Sequence, residues 1–155
     1  EQRKLAHVER MDSTKLAIIR RDLRSTGLPK LEAGEVVIEH PGHMLVYDEK
    51  HEQAKWVAHI AAPDLITGNL ARIDTFLPDP LVSTGTAVTA DYWFSGYDRG
   101  HLVPSADMRW NMKALAVSPV ANRYWPIWKN FHSKCKFEGS SVKSVSCHGF
   151  TSGRE

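Results

Sequence analysis

Cysteine is scarce in this chain: of 155 residues only Cys135 and Cys147 carry a thiol. Two are too few for a disulfide framework and can be either two free thiols or one bridge. No run of about 18 uncharged apolar residues occurs, so the sequence predicts no membrane-spanning helix and reads as soluble. An apolar signal core is missing from the opening Glu1-Gln2-Arg3-Lys4, and the first residue is not methionine. Export to a periplasm or the medium therefore stays open, since an earlier leader is either already removed or never included. A strong charge of either sign is missing too. The formal net charge is +2, and it is uneven: the last forty residues carry +4 and the first 115 carry −2. That balance excludes a domain-wide basic field of the kind that holds nucleic acid, and leaves room only for a local basic groove. What remains, 42% hydrophobic and 25% charged residues, is ordinary globular composition and enough chain for one domain with a core.

The chain opens on a helical pattern. Leu16, Ile19 and Leu23 recur at i, i+3 and i+7 behind a cap-like Asp12-Ser13-Thr14, and Gly27 closes the run. Leu5 and Val8 continue the spacing upstream, so one helix or a broken pair covers about residues 3–25. Arg20, Arg21 and Arg24 read as a solvated face near a helix C-terminus, where cations complement the dipole. Short β-branched and aromatic runs follow over about residues 36–60, bounded by Pro41-Gly42 and Asp48-Glu49-Lys50, and read as antiparallel strands. His40, His43, His51 and His59 fall in this region without metal-ligand spacing, and are expected in structural or surface roles. Residues 63–90, with Pro63, Gly68, Pro78, Pro80 and Gly85, read as a long irregular connection of the functional kind.

The densest chemistry lies in Ser95-Gly96-Tyr97-Asp98-Arg99-Gly100-His101-Leu102-Val103-Pro104. An imidazole exchanges a proton near neutral pH, and the guanidinium two residues before it offers a planar fork for phosphate oxygens. Together they point to phosphoester chemistry. Asp91-Tyr92-Trp93 precedes this segment, and Ser105-Ala106-Asp107-Met108-Arg109-Trp110 follows it. Residues 105–115 have helical composition, with Met108, Met112 and Leu115 along one face and with Asp107 and Arg109 expected at the helix's exposed start.

Over these twenty or so residues the chain resembles the DNA/RNA non-specific endonucleases, the ββα-metal or His-Me finger nucleases, whose Asp-Arg-Gly-His signature is matched by Asp98 to His101. The resemblance implies an α+β fold, an antiparallel sheet carrying a ββα-metal motif over about residues 91–131, and a magnesium-dependent phosphodiesterase, with other divalent ions such as manganese as substitutes. By the same resemblance His101 is the general base, Arg99 and Arg72 bind substrate phosphate, and Asn122 holds the metal. Asp98 orients the loop and Gly100 lets the backbone pass close. The bland alternative for Arg72 is a surface ion pair with Asp74 or Asp79. DNA and RNA are the implied partners, with no membrane; a homodimer stays open.

Past Leu115 the resemblance breaks. Asn122-Arg123 with Trp125 or Trp128 can be laid on the family pattern only across a missing segment, and Pro126 stands where a helix should run. The domain is therefore expected to be incomplete, over residues 1–131, with residues 132–155 a weakly ordered tail lacking any strand period. His132, Cys135, Cys147 and His148 make a poor zinc set, because adjacent Cys147 and His148 cannot readily chelate one tetrahedral ion. Two functions follow: a sugar-non-specific endonuclease, or a catalytically inactive nucleic-acid-binding or interaction fragment of one. The position of Asn122 relative to His101 discriminates between them.

Overall fold

The computed structural model describes residues 2–62, 65, 67–73, 75–96, 98–117, 122–124, 134, 135 and 145–149, with backbone alone for 2–12, 98, 99, 122–124, 134, 135 and 145–149. The first element, α1 (Gln2–Thr26), is one continuous helix. Asp12 lies inside it rather than capping it, because a single interior aspartate costs at most about 0.7 kcal/mol and the apolar spacing runs on either side. Ile19 and Leu23 are buried. The helix ends where the Ser25 and Thr26 hydroxyls turn back to the Asp22 carbonyl and Gly27 takes a φ of +94°, the left-handed conformation that stops a helix.

Three antiparallel strands follow, β1 (Val37–His40), β2 (His43–Asp48) and β3 (Gln53–Ile60). The β1–β2 turn is Pro41-Gly42, with Gly42 at φ +92°. A Cβ there would lie 3.0 Å from Met108 Sδ and 3.1 Å from Ala114 Cβ, so this turn is seated against the two helices after His101. A bulge sets Val46 opposite Trp56 but Tyr47 opposite Ala54. The extra residue is Lys55, whose ammonium sits 2.8 Å from Glu32 and 2.5 Å from Glu35; those carboxylates push its pKa up to about 12.

Beyond β3 the sheet order continues β1-β2-β3-β7-β6, with β6 at Lys134–Cys135 and β7 at Val145–Gly149. β7 pairs β3 from Trp56↔Gly149 to Ile60↔Val145. The stretch 132–155, expected to hold no strand, thus supplies two. The bare N–H and C=O row of a buried strand accepts any extended segment, and β7, Val-Ser-Cys-His-Gly, carries little apolar alternation to announce itself. His132 lies outside the described residues.

Both faces of the sheet are covered. Met44, Val46, Trp56, Ala58 and Ile60 pack against Ile19 and Leu23 of α1, with Leu65. On the other face Leu45, Val57 and Ala54 meet Leu102, Val103, Met108, Ala114 and Leu115. This second core positions the site, since Leu102 and Val103 directly follow His101. Among the described residues no helix is long and apolar enough to cross a membrane.

Among the described side chains, three histidines are buried in the sheet. His40 pairs with His43 across the hairpin and His43 with His59 across β2–β3. His40 Nε2 lies 2.7 Å from Asp79 Oδ2, and both side chains are almost wholly buried. Burial pushes the Asp79 pKa up, but the His40 ring and the Leu81 N–H more than offset it and hold the carboxyl below its ordinary value. His51 is at the surface on Asp48, at 2.6 Å.

Candidate active site

The signature segment runs through β4 (Asp98–Gly100), which pairs antiparallel with β5 (Asn122–Tyr124). The register sets Asp98 opposite Tyr124, Arg99 opposite Arg123 and Gly100 opposite Asn122. His101 leaves the strand, Leu102 and Val103 drop into the core, and Pro104 opens α2 (Ser105–Met108). A second helix, α3 (Met112–Ala116), follows. The single helix expected over residues 105–115 is therefore two. Asn111 breaks it: its backbone is extended at φ −148° and ψ 133°, and its side-chain oxygen accepts from Lys113 N and Ala114 N. An asparagine that caps the helix after it cannot also continue the one before.

His101 is half-buried, with Nε2 2.9 Å from the Ile73 carbonyl. A carbonyl only accepts, so Nε2 carries the proton and the neutral ring has its lone pair on Nδ1. The Phe76 ring stands edge-on to the imidazole, with centroids 5.2 Å apart. Arg72, Pro104, Ser105, Ala106 and Arg109 line, with His101, an open cleft of about 370 Å³. The Ser105 hydroxyl is buried and has no partner among the described residues.

The elements that line the cleft are fastened by contacts far apart in sequence. Gly68 lies on the backbone of Arg109 and Trp110: a Cβ there would come within 2.2 Å of the Arg109 carbonyl carbon. Leu70 N donates to the Arg109 carbonyl at 3.3 Å, and Arg109 Nε donates to the Leu70 carbonyl. This clamp holds the segment that carries Arg72 and Ile73. From α2 itself, Asp107 reaches to the buried His59, with Nε2 and Oδ2 2.9 Å apart. Asp107 and Arg109, expected at an exposed helix start, are instead the residues that fasten α2 to β3 and to the loop. Sequence carried no sign of either, since their partners lie 48 and 39 positions away.

Of the expected site residues, Arg72 and His101 share the cleft, and Arg72 is exposed on its wall. Asp79 does not pair with Arg72; it is buried on His40. Asp74 lies outside the described residues. Arg99 and Asn122 are placed by backbone alone, in paired strands one position out of register with each other, with Asn122 opposite Gly100, the residue that precedes His101.

Residues 22–123 match the family model for DNA/RNA non-specific endonucleases. The chain is 32% identical to the mitochondrial nuclease EXOG of Danio rerio over 136 residues, 86% of this chain and 38% of that protein. It is 33% identical to human mitochondrial endonuclease G over 96 residues, 61% of this chain and 31% of that one. A nuclease of Nostoc is 42% identical over 104 residues, 61% of this chain and 38% of its own length. The fold is similar to a chain in the crystal structure of an EndoG/EndoGI complex, with a TM-score of 0.52 and 24% identity over 64% of this chain and 42% of that one. The chain thus spans about a third of the length of these curated relatives.

Proposed function

This chain belongs to the DNA/RNA non-specific endonuclease family, and on that premise we propose that it is a magnesium-dependent, sugar-non-specific endonuclease with His101 as the general base of a ββα-metal motif. The observation that carries the reading is the hydrogen bond from His101 Nε2 to the Ile73 carbonyl at 2.9 Å. It keeps the proton on Nε2 and leaves the ring's lone pair on Nδ1.

In hydrolysis, Nδ1 removes a proton from the water that attacks phosphorus. Help of this kind is typically worth 10²–10⁴-fold. Arg72 on the cleft wall, and Arg99 on β4, bind the phosphate oxygens as their charge grows. Asn122 would hold the metal. An amide oxygen is the hard donor that magnesium accepts, and the ion keeps several waters, so one protein ligand with the substrate phosphate suffices. The backbone pairing of Asn122 with Gly100 fits such a role beside His101. When bound, the cation supplies neutralisation of the charge on the phosphate and leaving oxygens.

The test is nicking of supercoiled plasmid, with and without magnesium. Magnesium-dependent nicking is expected, falling at least 100-fold in His101→Ala with the fold intact, and RNA should be cut alongside DNA. Asn122→Ala should raise the magnesium requirement. Salt-sensitive binding with no nicking at any magnesium concentration would overturn the catalytic reading in favour of an inactive nucleic-acid-binding fragment. Nicking retained by His101→Ala would remove His101 as the base.

A further inference from the structure

The segment just upstream of β4 carries a feature the proposed chemistry does not use. A 3₁₀ turn at Thr89–Tyr92 ends with Trp93 at φ −66° and ψ 122°, and Phe94 follows at φ +58°. Ser95 N donates to the Tyr92 carbonyl at 3.3 Å, and Ser95 Oγ donates to the same carbonyl at 3.0 Å. This is the pattern of a type II β-turn, whose third position requires positive φ and ordinarily holds glycine. Here that position holds a phenylalanine, a bulky residue that is a genuine outlier at positive φ. Packing does not explain it, since Phe94 is fully exposed and Trp93 is 68% exposed.

The turn is joined to the cleft. Tyr92, its first residue, is buried with Ala87 against Phe76, and Phe76 meets the His101 ring edge-on at 5.2 Å. One layer of side chains therefore separates the turn from the imidazole. Seven residues separate Phe94 from His101, at most about 25 Å of chain, which is about seven nucleotides of a strand at 3.4 Å each.

We propose that Trp93 and Phe94 form a stacking platform for unpaired nucleobases of the substrate strand, a few nucleotides from the phosphate held at His101. The proposal rests on the nuclease reading above and deepens it by naming single-stranded segments as the preferred substrate. Aromatic faces stack on any of the four bases, so such a platform adds grip without sequence preference. A duplex, whose bases are already stacked, gains nothing from it. Leu77 and Leu81, exposed on the same excursion, have no π-face, so a protein partner would draw on them and bases would not.

The test measures binding of the 155-residue chain to a labelled oligothymidylate of about 12 nucleotides, and to a duplex of equal length, without divalent cation. Trp93→Ala and Phe94→Gly should each weaken single-strand binding roughly 5- to 150-fold and duplex binding less than twofold. Phe94→Gly should melt no lower than the wild type, because glycine suits the turn, so a loss of binding cannot come from unfolding. Unchanged single-strand affinity in both variants overturns the platform. So does a change in self-association by light scattering that follows Leu77→Ser and Leu81→Ser as well, which would make a second copy the occupant. Plasmid nicking run in parallel separates the two readings. Variants that nick and bind single strands like the wild type sink only the platform, a wild type that binds through the platform but never nicks sinks only the catalysis, and a wild type that binds no nucleic acid sinks both.

Discussion

His43 gives this fold an acid-sensitive core, and its substitution should show it. The ring is wholly buried in β2, and neither nitrogen has a partner among the described residues. Burial first, then the neighbouring His40 and His59, pushes its pKa well below the ordinary 6.5. The folded ring is therefore neutral where the unfolded ring already binds a proton. Stability is full above about pH 6.5 and falls as pH drops below it, by about 1.4 kcal/mol per unit, until the folded ring titrates in turn. Between pH 6.5 and 5 the loss is about 2 kcal/mol, a large share of the 5–15 kcal/mol that typically holds a domain together. His43→Leu removes the titration and two unpartnered nitrogens at nearly constant volume. It should stabilise the chain by about 1–3 kcal/mol at neutral pH and flatten the wild type's decline by about 2 kcal/mol in that window. Urea unfolding of both proteins at about pH 7 and pH 5 reads this directly. Equal pH slopes, or a leucine variant less stable at neutral pH, would refute the reasoning.

Two further perturbations probe contacts made between distant parts of the chain. Gly68→Ala drives a methyl into the Arg109–Trp110 backbone and should destabilise by about 1–3 kcal/mol, while lowering nicking more than an equally destabilising change in α1 such as Leu23→Ala; matched unfolding and nicking assays compare the two. Asp79→Ala leaves the buried His40 ring and the Leu81 N–H without their acceptor, and a loss of roughly 3–5 kcal/mol is expected by thermal or urea unfolding. The wild-type Asp79 carboxyl is depressed, so its stabilisation is present above the ordinary carboxylate pKa and is lost only as pH falls through the lower folded value. That loss sets in at a lower pH than the loss due to His43, and the Asp79→Ala variant should lack it.

Much of the frame was legible in the residues alone. The Leu16, Ile19, Leu23 spacing announced α1, and the β-branched runs on either side of Pro41-Gly42 announced the hairpin, because helix and strand periodicity are local properties that the two cores only reinforce. The Asp98-Arg99-Gly100-His101 cluster marked the candidate site for the same reason: its residue types lie within four positions of the chain. Other features had no local sign. Asn111 reads as one polar residue in a helical run until its side chain is seen capping α3. Asp107 and Arg109 look like a solvated helix start, and only the folded chain brings them to His59 and Leu70. The sequence thus determined α1, the β1–β2–β3 strands and the segment in which the candidate site residues cluster. Tertiary structure alone decided which histidines were buried and paired, which strand closed beside β3, and which nitrogen of His101 holds the proton, since each depends on a partner tens of residues away that no local pattern specifies.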